Sequence, residues 1–314
     1  MDKKMKDDSE NISHQLSSAK ENFFASVKHP KVNFSGKSKS GEWVLEYQAD
    51  SYPAGSGESI QLMLDPSDFR DAAFTILREG EYEPILAGVL QSIAKQSTHF
   101  YDVGANIGFY SCLAARSNLA LTVNSFEPNP TLWEKLEGNL DLNDCRDRVS
   151  LERVGLGSET ASYPLYVPPD TGSGGGSLRD LHPEEGRGIE HIVNISAPKD
   201  LNISKTPQMV KIDVEGAELS VIEGLKDIIL TNKPTIFIEL LRKWMKAFGN
   251  HPMDVVQILL DAGYKIFAIG ETGLIEVTEI GDQTVQTNFL FVHSSQKSHF
   301  QTIAALAEKQ LGSR

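Results

Sequence analysis

Apolar residues in this chain recur at two spacings, and the switches between them mark out its elements. Strict alternation over residues 42–49 and 59–64 predicts two strands. The turn-forming stretch from Tyr52 to Gly57 between them predicts a hairpin. Asp65 or Ser67 is placed to cap a helix over 68–77, and a second helix over 84–96 puts Leu86, Val89, Leu90 and Ile93 on one face. From residue 98 the pattern becomes strand, turn, helix, repeated. Strands are expected over 98–103, 121–126, 149–154, 209–214 and 235–240, and helices over 106–116, 130–142, 217–230 and 254–262. Two further strands, 265–269 and 288–292, have no helix between them, and a short helix over 303–311 follows.

Strands alternating with helices imply a parallel sheet covered on both faces. The last two strands can pair antiparallel, as two strands without a crossover helix do. The expected architecture is therefore an α/β, Rossmann-like fold: a mostly parallel seven-stranded sheet finished by an antiparallel pair, plus a small N-terminal hairpin and helix. The expected divisions are a polar tail (1–40), the hairpin–helix extension (41–80), the main domain (81–294) and a C-terminal helix (295–314). Residues 168–188, with Gly172, Gly174, Gly175 and Gly176, are too polar for the core and read as a binding loop or a passive insertion.

Composition narrows the function. Net charge is −13 over 314 residues with no clustered Lys/Arg run, which speaks against nucleic acid as a partner. No apolar run approaches the roughly 20 residues of a membrane span, and the polar N-terminus lacks the apolar segment of a signal peptide. A cytoplasmic protein with no membrane partner is expected. Cys112 and Cys145 form no CxxC pair, so two reduced thiols are expected and no metal site is assigned. Oligomeric state has no signature in the sequence.

Two stretches carry chemistry. The first strand of the repeated pattern runs into Asp102-Val-Gly104-Ala-Asn106-Ile-Gly108 and opens a helix, while the next strand ends in Glu127. A glycine turn after a strand, with an acid one strand over, suits a nucleoside whose ribose hydroxyls bond the acid. Asn106 stands where a dinucleotide fingerprint needs glycine, and Asp102 adds negative charge. Both features disfavour a pyrophosphate and suit a cationic nucleoside such as S-adenosylmethionine. The second stretch is Lys211-Ile-Asp213-Val-Glu215, whose charged residues share one strand face. Asp213 lies near the strand's carboxyl end, where sites of open sheets form, and Glu239 ends the next strand. These two acids are the candidate catalytic residues, with Lys211 read as an ion-pair partner. His182, His191 and His251 are alternative bases.

In order and spacing, DVGANIG at 102–108, FEPNP at 126–130 and KIDVEGAE at 211–218 resemble the FkbM family of methyltransferases. Gly80-Glu-Tyr-Glu83 and Ala262-Gly-Tyr264 look like that family too, and the resemblance spans about residues 65–293. It implies a class I methyltransferase fold, S-adenosylmethionine as cofactor, and O-methylation of a natural product, sugar or glycan. Carried over, it puts Asp102, Gly104, Asn106 and Gly108 around the methionine and ribose, Glu127 on the ribose and Asn129 near the adenine. Asp213 and Glu215 would face the reaction. Where the family often has Leu-Asp-Asp, this chain has Lys199-Asp200-Leu201 and keeps one acid. On residues alone, a nicotinamide-dependent oxidoreductase and a non-catalytic methyltransferase-like module remain as alternatives.

Overall fold

The computed structural model describes residues 29–39, 41–50, 56–65, 71–167, 175–181, 189–281 and 284–311. The expected tail to residue 28, the turn at 52–55, Ser67, His182 and most of 168–188 lie outside these.

Three strands open the described chain: β1 (Val32–Lys37), β2 (Trp43–Asp50) and β3 (Ser56–Leu64), an antiparallel sheet in that order. The expected hairpin thus gains a third strand. β1 escaped the pattern because only Val32 of its six residues is buried, leaving no alternation to read. Helix α1 (Ala72–Glu79) starts later than expected, because Asp71 caps it by accepting from the Ala73 N–H at 2.6 Å. Gly80, left-handed at φ +82°, ends it. α2 (Pro84–Ala94) follows, with proline in its first turn.

The main sheet is then laid down: β4 (His99–Val103), α3 (Phe109–Ser117), β5 (Thr122–Phe126), α4 (Trp133–Leu142) and β6 (Val149–Glu152). The chain next makes a small sheet from β7 (Gly155–Leu156), β8 (Ala161–Val167) and β9 (Ile189–Ser196), in the order β7-β9-β8. It returns as β10 (Met209–Ile212), α5 (Glu218–Gly224), α6 (Lys226–Thr231) and β11 (Thr235–Glu239). The single helix expected over 217–230 is broken at Leu225. Then come α7 (Arg242–Ala247), α8 (Pro252–Asp261), β12 (Tyr264–Gly270), β13 (Gly273–Val277), β14 (Asn288–His293) and α9 (Lys297–Leu311).

The central sheet runs β13-β12-β14-β11-β10-β4-β5-β6. β6, β5, β4, β10 and β11 are parallel, and β14 lies antiparallel between β11 and β12. That is the Rossmann-like class I methyltransferase arrangement. The expected seven strands become eight, because β13 adds an edge by turning back on β12 through Gly270 and Gly273. Its central residues, Ile275 and Glu276, are exposed, so it too lacks a legible buried stripe.

One hydrophobic layer, with Leu45, Ile60, Leu62, Ile93, Leu113 and Leu136, joins the N-terminal sheet to α2–α4 and the central sheet. The other, under α5 and α8, includes Val221, Val255 and Leu259. The outer edge of β3 is paired by side-chain amides instead of a strand. Asn143 bonds both the N–H (2.9 Å) and the C=O (2.7 Å) of Gln61, and Asn139 accepts from the Met63 N–H at 2.7 Å. These bonds meet the backbone's obligatory pairing and cover an edge that could otherwise recruit another strand.

Candidate active site

Strand order reverses between β4 and β10, and ligands of open α/β sheets bind outside the carboxyl ends at such a point. A cavity of about 250 Å³ lies there. After β4 the chain turns through Gly104 (φ +80°), Asn106 (φ +51°) and Gly108 (φ +80°) into α3. A Cβ at position 104 would stand 1.8 Å from the Asp213 carbonyl oxygen. Glycine is therefore required there by the abutting end of β10, before any ligand is considered.

Glu127 ties the turn to β5. Its Oε2 accepts from the Asn106 N–H and its Oε1 from the Asn129 N–H, both at 2.8 Å. Burial pushes its carboxyl up to about 7, against the pull of those two N–H groups. Each oxygen has a further lone pair, as a ribose diol requires. Asn129 is 2% exposed; its Oδ1 accepts from the N–H and hydroxyl of Thr131, while its Nδ2 has no protein partner. The Asn106 Oδ1 is also unpartnered, and both side chains belong to cavity-lining residues. Buried polar atoms without partners cost free energy, and a bound ligand relieves that cost.

Asp102 is placed otherwise than its spacing suggested. It is not among the cavity-lining residues. Its Oδ2 accepts from the Ser111 hydroxyl at 2.6 Å, and Ser111 in turn bonds Ser125. Burial raises its carboxyl above the usual range, and its charge is felt by Lys211, its register partner on β10. Gly108 likewise shapes the turn without lining the cavity.

Charged and polar groups from five segments meet around the rest of the cavity. The Lys211 ammonium lies 3.0 Å from Asp213 Oδ2 and 4.7 Å from the Tyr110 ring centroid. The Tyr110 hydroxyl donates to Glu83, whose other oxygen accepts from Asn288 Nδ2 at 2.9 Å. Burial pushes Glu239 up to about 9, reinforced by the charges of Asp213 and Glu83, and burial also raises Glu83. Lys211 loses hydration on burial, but Asp213, Asp102 and Glu83 outweigh that and hold it above the ordinary lysine range. Glu215, left-handed at φ +55°, accepts through its backbone oxygen from the Ser177 hydroxyl at 2.7 Å. That bond seats residues 175–181 on the cavity, with Gly176 and Leu178 in its wall. Among the described residues, no group of three or more His, Cys, Asp or Glu side chains is arranged to hold a metal ion.

Sequence reasoning thus brought Glu127, Asn129, Asp213, Glu215 and Glu239 to one cavity, and it missed Glu83, Tyr82 and Tyr110. Tyr110 sits two residues past Gly108, and Glu83 stands just before the proline that opens α2; both positions carried signals. Of the alternative bases, His251 caps α8, accepting from Met253 N–H at 3.2 Å, and His191 on β9 does not line the cavity. Cys112 and Cys145 are free, buried thiols.

A cavity at the switch point, a buried acid tied to the glycine turn and the antiparallel β14 fit an S-adenosylmethionine-dependent methyltransferase. The chain belongs to the FkbM methyltransferase family: the family's methyltransferase FkbM domain matches residues 102–266, just over half of its length. It is similar to the hexuronic acid methyltransferase AglP of Haloferax volcanii, 27% identical over 216 residues, covering 68% of this chain and 77% of that one. Methyltransferase 1 of Beauveria bassiana is 24% identical over 190 residues, covering 54% of this chain and 76% of that one. A crystal structure of methyltransferase FkbM from Methylobacillus flagellatus superimposes with TM-score 0.39 at 19% identity, covering 62% of this chain and only 43% of that one. No described helix is long and apolar enough to cross a membrane.

Proposed function

We propose that the chain methylates a hydroxyl group of a sugar, glycan or natural-product acceptor. When bound, S-adenosylmethionine supplies an electrophilic methyl group on a sulfonium centre. In this reading Gly104, Asn106 and Glu127 hold the ribose and methionine parts, Asn129 lies by the base, and Gly108 and Asp102 act from outside the cavity by shaping and supporting the turn. Asp213 takes the acceptor's hydroxyl proton and Glu239 orients it. Residues 81–294 form the catalytic unit, with 41–80 an extension and Lys297–Leu311 a closing helix.

The observation carrying this reading is the Asp213 carboxylate, held 3.0 Å from Lys211 in the wall of the cavity that Glu127 also lines. A carboxylate within reach of an acceptor hydroxyl can serve as the general base. The sugar class is supported by the hexuronic acid methyltransferase among the relatives. The test is transfer of a tritiated methyl group from S-adenosylmethionine to a panel of glycosides and hydroxylated small molecules, followed by mild alkali. Label that survives as an ether supports hydroxyl methylation. Label released as methanol identifies a carboxyl ester and overturns it.

A further inference from the structure

We infer that the acceptor carries an oxyanion, a carboxylate or a phosphate, and that Arg179, stacked on Phe248 at the rim of the cavity, holds it there while the hydroxyl to be methylated reaches inside. This rests on the methyltransferase reading of the cavity and adds what the acceptor must carry.

Two segments build this part of the rim. One is residues 175–181. Ser177 pairs with Tyr166 through both backbone bonds, at 2.8 and 3.0 Å, and its hydroxyl donates to the Glu215 carbonyl at 2.7 Å. Leu178 then enters the cavity wall, and the next residue, Arg179, is exposed. The other segment is the end of α7, where Phe248 is the cap residue. Phe248 packs against Gly216, since a Cβ at that position would stand 2.6 Å from its ring. Gly216 lies between Glu215 and Ala217, which both line the cavity. The Arg179 guanidinium sits 5.7 Å from the Phe248 ring centroid. Both partners are thus held at the cavity wall by contacts of their own. An aromatic face positions a guanidinium and leaves its edge N–H groups for a ligand. Those N–H groups form a planar fork that matches two oxygens of a carboxylate or phosphate. Among the described residues, Arg179 has no carboxylate partner.

Charge favours an anion at this rim and not deeper. Residues 240–253 contain Arg242, Lys243 and Lys246 and no acid, in a chain of net charge −13. Lys243 and Lys246 are exposed. The cavity is lined by Glu83, Glu127, Asp213, Glu215 and Glu239, and Lys211, the lone cation among its described lining residues, is engaged by Asp213 at 3.0 Å. An anion inside would meet carboxyl groups, whereas one at the rim meets Arg179 and the positive field of α7. The acceptor is therefore oriented by its charge, with its uncharged, hydroxyl-bearing part directed inward.

The test uses the full chain, tritiated S-adenosylmethionine, and matched panels of phenyl hexosides, the corresponding phenyl hexuronides, and hexose phosphates with their free hexoses. Wild type is expected to favour the anionic members in kcat/KM, and added salt should shrink that preference. In Arg179→Gln the ratio of anionic to neutral kcat/KM should fall by about fivefold, mainly through KM, and in Arg179→Glu it should fall further. The anionic panel that leads tells carboxylate from phosphate. A merely structural Arg179 would lower both members of a pair together. A ratio unchanged in both variants, or no preference in wild type, would overturn the proposal. If no acceptor is turned over, calorimetry with the same compounds and the protein saturated with S-adenosylhomocysteine decides, and equal or absent binding of the anionic members would overturn it. So would label on a hexuronide carboxylate, released as methanol by mild alkali, because the oxyanion would then lie at the sulfonium. Failure of S-adenosylhomocysteine itself to bind would sink the methyltransferase reading and this inference with it.

Discussion

The two sets of residues proposed to serve the cavity are built in opposite ways. Those proposed for the nucleoside come from one short span, residues 104–129, in which a turn, a helix start and a strand end are joined through a single carboxylate, Glu127. Those proposed for the reaction, Asp213 and Glu239, and the groups around them, Glu83, Tyr110, Lys211 and Asn288, are up to 205 residues apart in sequence. The first set works mainly through backbone N–H groups fixed by chain geometry. The second works through side-chain charges whose states depend on one another. Cofactor binding is therefore expected to fail through loss of shape, and chemistry through loss of charge balance.

Asp213→Asn breaks the comparison most sharply. The asparagine amide can keep its oxygen toward Lys211, but the group no longer takes a proton. Turnover is expected to fall by about 10²–10⁴-fold, the usual contribution of a general base. Affinity for S-adenosylhomocysteine, measured by calorimetry, should change no more than a few-fold. A comparable loss in both would mean that the two sets are one unit.

Glu127→Ala should do the reverse. It removes the acceptor of two backbone N–H groups and the diol partner. Hydrogen bonds to a charged group contribute about 1.5–3 kcal/mol each, so cofactor affinity should weaken by about 100-fold. Unchanged affinity would remove Glu127 from the site, and unfolding of the variant, checked by circular dichroism, would recast it as a structural tie.

The same contrast explains what the sequence disclosed. The 102–130 span is legible because each of its constraints is local: a strand, two left-handed glycines, a helix start and an acid at fixed spacing. The antiparallel pair at the end was legible from a missing helix. Asp102, which spacing places near the turn, lies outside the cavity lining and accepts from Ser111. Glu83 was quoted only as part of a motif, since nothing in its neighbourhood reports that Asn288 and Tyr110 will meet it. β1, β7–β9 and β13 were missed for a further reason. They are edge or small-sheet strands with little buried surface, and period-two alternation reports burial on one face.

Asn139 links the N-terminal extension to the glycine turn from outside the cavity. It is fully buried, accepting from Met63 N–H and donating to the Ile107 carbonyl at 2.8 Å. Asn139→Ala leaves both backbone groups without their partner, and a loss of about 2 kcal/mol is expected in chemical denaturation. If the extension supports the turn, cofactor affinity should fall a few-fold as well. A stability loss with unaltered affinity would separate the extension from the site.

The smallest expected effect sets Glu218 against Glu127, since burial pushes both carboxyls up to about 7. Glu218 opens α5, outside the cavity wall, and its Oε1 accepts from the Gly216 N–H at 2.9 Å. A carboxyl raised on folding adds stability that is complete below its unfolded value and is lost as pH rises through the folded one. Wild type should therefore lose this contribution between the ordinary value of 4.5 and about 7, and stay level above. Glu218→Gln keeps an oxygen for Gly216 and does not titrate. Its Tm relative to wild type should rise by a few degrees from pH 5 to pH 8. Saturating S-adenosylhomocysteine should leave that rise unchanged, because no ligand reaches Glu218. A Tm difference independent of pH would mean that Glu218 ionises as easily in the folded chain as in the unfolded one, and a rise abolished by ligand would place it in contact with the cavity after all.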